Sequence, residues 1–177
     1  MNDFMAVFYD AGFSCPTQED AQTITQFFQN KTCVLSNQHS LTFDCSVNFY
    51  KHEWFASIHP IGMAWGSPET NIKLLEEKMI HEIGQLLYDI LQQQTTWKYY
   101  YGIFHAEAHE RIMEDELLVE LLEDYEKEYL TEEDVAGSFE RYYTGLVLDV
   151  SLAEALNIRQ VFDDFNTQYC WISYSGF

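Results

Sequence analysis

Basic residues are what this chain has least of. Nine Lys and Arg stand against 29 Asp and Glu in 177 residues, a formal net charge of -20 at pH 7 with His neutral. A field of that sign repels phosphate backbones and anionic lipid headgroups and attracts cations and basic proteins, with a reach of roughly 8 Å at physiological salt. Direct nucleic-acid binding and adsorption to an anionic membrane are therefore disfavoured. Long apolar runs are missing too: nothing in the sequence approaches the roughly 18–20 consecutive apolar residues a bilayer-spanning helix needs. The opening Met1-Asn2-Asp3-Phe4 carries no basic region or apolar stretch of signal-peptide length, so the expected compartment is the cytoplasm.

Paired cysteine motifs are also absent. Cys15, Cys33, Cys45 and Cys170 show no C-x-x-C spacing and sit in apolar or strand-like settings, where a free thiol packs as a small hydrophobe. Four reduced thiols are expected. No G-x-G-x-x-G, P-loop, G-x-S-x-G or H-x-E…C-x-x-C pattern occurs, which removes the readily visible nucleotide, phosphate, hydrolase and deaminase mechanisms. Repeats, linkers and low-complexity tracts are lacking, and 177 residues suit one domain of roughly 100–200 residues, so residues 1–177 are expected to form a single acidic domain.

What is present is core material. Apolar residues make up 47% and aromatics 16% of the chain, enough to make disorder improbable for most of its length. Phe4 to Tyr9 reads as a first strand ended by an Asp10-Ala11-Gly12 turn. Thr17, with Asp20 three residues on, caps a helix carrying Ala21, Ile24, Phe27 and Phe28, closed by Asn30 and Lys31; Thr32 to Leu35 follows as a brief strand. Leu41 to Tyr50 alternates with period two, Leu41, Phe43, Cys45, Val47 and Phe49 on one face. Lys51-His52 turns it into Glu53 to His59 as an antiparallel hairpin, and Pro60 to Gly66 is a loop carrying Trp65.

Ser67-Pro68-Glu69 starts a helix running to about Gln93, with Ile72, Leu75, Met79, Ile80, Ile83, Leu86, Leu87 and Ile90 inward and His81 and Gln85 outward. Trp97 to His105 is an aromatic strand with Trp97, Tyr99, Tyr101 and Ile103 on one face and a bulge marked by Gly102. A long helix from about Glu107 to Tyr129 and a shorter one capped by Thr131 and ended by Gly145 follow. Leu146 to Val150 is a strand, Ser151 with Glu154 caps another helix, and Tyr169 to Tyr174 is a last strand. Strands in runs favour an α+β fold with a mixed or mainly antiparallel sheet and helices packed on it.

Charge clusters where chemistry does not. Between Glu107 and Glu140 lie fourteen acidic residues and two basic ones, a local balance of -12. Leu117, Leu118, Leu121, Leu122 and Tyr125 share a helical stripe, which turns Glu116, Glu120 and Glu123 to the far side as an acidic ridge, flanked by Asp124, Glu128, Glu132 and Glu133. Carboxylates steer and complement a basic surface, and tyrosines such as Tyr125 add rigid amphipathic contact area. The reading is a non-enzymatic binding protein that masks a basic, nuclease-like or nucleic-acid-binding partner, in the manner of an immunity protein, an inhibitor or a nucleic-acid mimic; an acidic surface that only solubilises an accessory subunit is the bland alternative. His105, Glu107 and His109 are ligand types for zinc, iron or manganese on alternate residues, the basis for an alternative metal-dependent enzyme, but their spacing matches no mechanistic motif. His81-Glu82 lacks the second helical histidine of a zincin, since Gln85 occupies that place. No metal and no cofactor are expected.

Overall fold

The computed structural model of the chain describes residues 7–61, 64–65, 77–106, 108 and 144–174. The strand on which the sheet is registered is β1, Val7–Cys15. Tyr9, Ala11, Phe13 and Cys15 are buried on one face, and Asp10, Gly12 and Ser14 are buried on the other, the pattern of a central strand covered on both sides. This corrects the expected turn at Asp10-Ala11-Gly12. Both edges of β1 carry antiparallel partners through those residues, so ladder hydrogen bonds on two sides outweigh the local turn preference.

Helix α1, Gln18–Gln29, follows as the sequence predicts. Thr17 accepts from the Asp20 amide at 3.1 Å and its hydroxyl reaches the Asp20 carboxylate at 2.6 Å, while Ala21, Ile24 and Phe28 are buried against the sheet. Strands β2 (Cys33–Val34) and β3 (Ser40–Leu41) form a separate two-stranded ribbon. Strand β4, Phe43–Tyr50, and β5, Glu53–Pro60, make the expected hairpin, with Tyr50 opposite Glu53. Lys51 and His52 both have positive φ, 45° and 73°, the requirement of the two-residue turn whose twist matches that of the strands. Within the stretch expected to be a loop, β6 (Ala64–Trp65) pairs with Val7 and Phe8 and carries the β5 side of β1 past the end of β5.

Helix α2 is described over Glu77–Gln93, so the Ser67-Pro68-Glu69 start lies outside the described residues. Ile80, Ile83 and Leu87 are buried and His81 and Gln85 exposed, as expected; Tyr88 and Leu91 join the buried set. Strand β7 is Tyr101–Ala106, shorter than expected. Trp97 and Tyr99 pack in the core on one side of the sheet and Tyr101 and Ile103 on the other, so the four do not share a face. The cause is the Tyr169 hydroxyl, which donates to the Trp97 carbonyl at 2.9 Å and accepts from the Tyr99 amide at 3.0 Å, with the Tyr99 and Tyr169 rings stacked at 4.1 Å. Gly102 marks no bulge: it sits in register opposite Phe13, and a Cβ there would collide with the Phe13 ring.

Strand β8, Val147–Asp149, runs into helix α3, Val150–Ala155, capped by Asp149 accepting from the Leu152 amide at 3.0 Å rather than by Ser151. Gly145 has φ 82°; the helix expected to end there lies outside the described residues. A 3-10 turn, Arg159–Val161, leads to β9 (Asp163–Asp164) and β10 (Tyr169–Trp171). The sheet order is β4-β5-β1-β7-β8-β10-β9, and every pairing described is antiparallel, which makes this an α+β fold. α1 and α2 cover one face around Phe13, Phe28 and Trp97, and α3 covers part of the other around Leu148, Ile158 and Phe162.

Neither Lys51 nor His52 favours positive φ as Asn and Gly do. Replacing Lys51 by Asn together with His52 by Gly raises stability by about 1 kcal/mol in urea unfolding. A lower midpoint would show that the hairpin does not turn through these two residues.

Candidate functional site

One face of the sheet carries a polar row across four strands. Asp44 on β4 lies opposite His59 on β5, the β1–β5 register extended by one residue sets His59 beside Asp10, and Asp10 lies opposite His105 on β7. Residues in register on neighbouring antiparallel strands hold their Cβ atoms roughly 5 Å apart on the same face, so carboxylate and imidazole alternate along the row. Asp10 is fully buried; its Oδ1 accepts from the Ala108 amide at 2.6 Å, and its Oδ2 stands 3.4 Å from His59 Nδ1, whose side chain is 32% exposed. Burying a carboxylate is costly unless it finds polar partners, and the Ala108 amide and the His59 imidazole are two of them.

His105 is thereby placed beside a carboxylate and in line with a second histidine, while Glu107 and His109 lie outside the described residues. Among the described residues no group of three or more His, Cys, Asp or Glu is arranged to hold a metal ion. Beside the row, Ser57 lies between Ser46 on β4 and Gly12 on β1; its hydroxyl is buried with no hydrogen-bond partner, an arrangement that costs roughly 1–3 kcal/mol. Nothing in the local sequence singles out Asp10, Asp44 or His59. Asp10 reads there as a turn residue, and its amide partner stands 98 positions away.

The acidic ridge residues Glu116, Glu120, Glu123, Asp124, Tyr125, Glu128, Glu132 and Glu133 all lie outside the described residues. The two ends of their segment are described. Residues 107–143 link β7 to β8, which are adjacent in the sheet. At the first end Asp10 holds the Ala108 amide; at the second the Gly145 amide donates to the Ile172 carbonyl at 2.9 Å and the Thr144 hydroxyl donates to the Ser173 carbonyl at 3.1 Å.

An open groove of about 710 Å³ runs along α2 and is lined by Lys31, Cys33, Lys78, His81, Glu82 and Asp89 among others. Its polar groups are turned to neighbours. Glu82 accepts from the Ser36 amide and hydroxyl at 2.6 and 2.7 Å, His81 stacks on Tyr174 at 5.3 Å, and Gln85 donates to Asp89 at 3.0 Å. Such an arrangement fastens the β2–β3 ribbon to α2 and converges on no reacting centre.

All four thiols are unpaired with one another. Burial, with the Asp20 charge, pushes Cys15 from 9.0 up to about 12; burial, with Asp44, pushes Cys45 up to about 12; burial carries Cys170 to about 11 against the pull of Arg159, and burial raises Cys33 against that of Lys31. A nucleophilic cysteine needs the opposite shift. The chain matches no protein-family model, no curated protein and no solved structure. Among the described residues no helix is long and apolar enough to cross a membrane.

Two outcomes follow from this chemistry. Asp10→Ala orphans a buried amide and costs about 3 kcal/mol in chemical unfolding, against about 1 kcal/mol for His59→Ala, whose partly exposed ring is screened by water. Equal losses would mean that the His59 contact, not the Ala108 amide, carries the anchor. The thiols, held protonated in the fold, support its stability fully below their ordinary value of 9.0; that contribution is lost as pH rises through about 11–12. Alkylation of the native protein at about pH 8 is therefore slow, slowest at the buried Cys15, Cys33 and Cys170, and unfolding exposes all four to label. Rapid native labelling of Cys15 or Cys170 would contradict their burial.

Proposed function

We propose that this chain is an acidic protein-binding module, an inhibitor or immunity-type protein that neutralises a basic, nuclease-like or nucleic-acid-binding protein. The observation that carries the reading is the balance of -12 between Glu107 and Glu140, inside a chain of -20. Like charges three or four apart on a helix cost roughly 0.2–0.5 kcal/mol per pair, so acids this dense are a burden that a basic partner relieves. The ends of the segment support the same reading. Both are tied to the sheet at adjacent strands, so a partner that binds between them acts on a tethered element rather than a free tail.

Reversing Glu116, Glu120 and Glu123 to Lys tests it. The triple variant keeps the far-UV circular dichroism of the parent, loses the basic protein that the parent recovers from native lysate at low salt and releases at raised salt, and flattens the salt dependence of association. Recovery of the same protein by the triple variant would place the contact elsewhere.

A second reading takes His105, Glu107 and His109, ligand types on alternate residues at the end of β7, as holding a divalent metal ion, which would make the protein a metal-dependent enzyme. Calorimetric titration with Zn²⁺ and Mn²⁺ separates the two. Stoichiometric binding abolished by His105→Ala and by His109→Ala supports the enzyme; binding indifferent to both removes it.

A further inference from the structure

The two edges of the sheet are built differently. At one end β9 is two residues long, both of them exposed aspartates, and Arg159 pairs with Asp164. Short, charged edges of this kind refuse an incoming strand. At the other end β4 is eight residues long, Phe-Asp-Cys-Ser-Val-Asn-Phe-Tyr, with one charge and no proline or glycine. At its tip Phe49 is 57% and Tyr50 41% exposed. Nothing in that composition discourages pairing.

The backbone register says which groups are on offer. A two-residue turn makes Tyr50 and Glu53 a hydrogen-bonded pair, and alternation makes Asn48–Phe55, Ser46–Ser57 and Asp44–His59 the others. Phe43, Cys45, Val47 and Phe49 therefore send their amides and carbonyls away from β5. Two observations agree with this phasing. Pro60, which has no amide to give, falls opposite Phe43, and the outward Cys45 carbonyl accepts from Gln29 Nε2 at a long 3.4 Å. Phe49 and Trp54, a non-hydrogen-bonded pair, bring their rings to 4.7 Å.

We propose that β4 pairs antiparallel with β4 of a second copy of this chain, joining two sheets across a twofold axis. A twofold interface must be complementary to itself, and β4 is. With Val47 opposite its own mate, Asp44 lies opposite Tyr50 of the second copy, over whose ring that copy's Lys51 Nζ sits at 5.3 Å, and the same contact repeats on the other side of the axis. An extended segment of a basic protein would meet only Asp44 on this strand, so self-pairing uses more of its chemistry. β4 stands three strands from β7, where the acidic segment begins, a separation of about 14 Å at strand spacing against a screening length of roughly 8 Å.

Sedimentation equilibrium at increasing concentration tests the pairing. The wild-type chain of 20.9 kDa reaches about twice that mass. Val47→Pro removes an outward amide that β5 does not use, so it leaves the circular dichroism unchanged and gives a monomer. Asp44→Lys alone and Lys51→Asp alone each weaken self-association about tenfold through like-charge contacts, and the double exchange restores it. The charge exchange decides the matter even if the proline variant fails to fold. A wild-type monomer up to about 1 mM, a dimer that survives Val47→Pro, or a double exchange no stronger than either single variant would overturn the proposal.

Discussion

The rest of the fold depends on a carboxylate buried in the middle of the sheet. Asp10 occupies a position on β1 where an apolar side chain would cost nothing to bury, and it is fully enclosed in a chain that already carries an excess of negative charge. What offsets the desolvation is specific: the Ala108 amide on one oxygen and the His59 imidazole beside the other. Those two contacts join three things that the sequence keeps far apart. They lock β5 against β1 one residue beyond the end of their ladder and hold Ala108, just past the end of β7, against the centre of the sheet.

Much of this is legible in the amino-acid sequence, and the parts that are not share one cause. Local signals succeed where the interaction they report is local: the Thr17 cap, the inward set Phe43, Cys45 and Val47 on β4, the Lys51-His52 turn and the exposure of His81, whereas the same period-two run expected Phe49 in the core and Leu41 on the same strand, and the one is exposed and the other lies in the β2–β3 ribbon. They fail where a distant partner decides the conformation. Asp10-Ala11-Gly12 has turn composition yet is held extended by β5 on one side and β7 on the other, and Trp97 and Tyr99 leave the face of Tyr101 because Tyr169, some seventy positions on, takes their backbone groups. The polar row is invisible along the chain for the same reason. Its members come from four strands, and only His105 belongs to a cluster of neighbours in sequence.

Charge is unevenly placed along the chain. Outside Glu107–Glu140 several acids act singly in the architecture. Asp20 and Asp149 sit at helix starts, Glu53 accepts from Ser14, and Glu82 holds the β2–β3 ribbon. Inside that stretch they outnumber basic residues by fourteen to two, far beyond what capping or pairing within a helix requires. The sheet tethers both ends of this stretch, and the anchor at its first end is itself an acid.

That anchor is the central claim, and the amide of Ala108 reports on it directly. Native-state hydrogen exchange followed residue by residue compares Ala108 with the β1 amides that pair with β5 and β7. Donating to a fully buried carboxylate at 2.6 Å, Ala108 should exchange with the protection of those central amides, only through global unfolding. Exchange at the rate of an exposed loop amide would mean that Asp10 does not hold the start of the acidic segment, and the structural basis proposed for presenting it would fail.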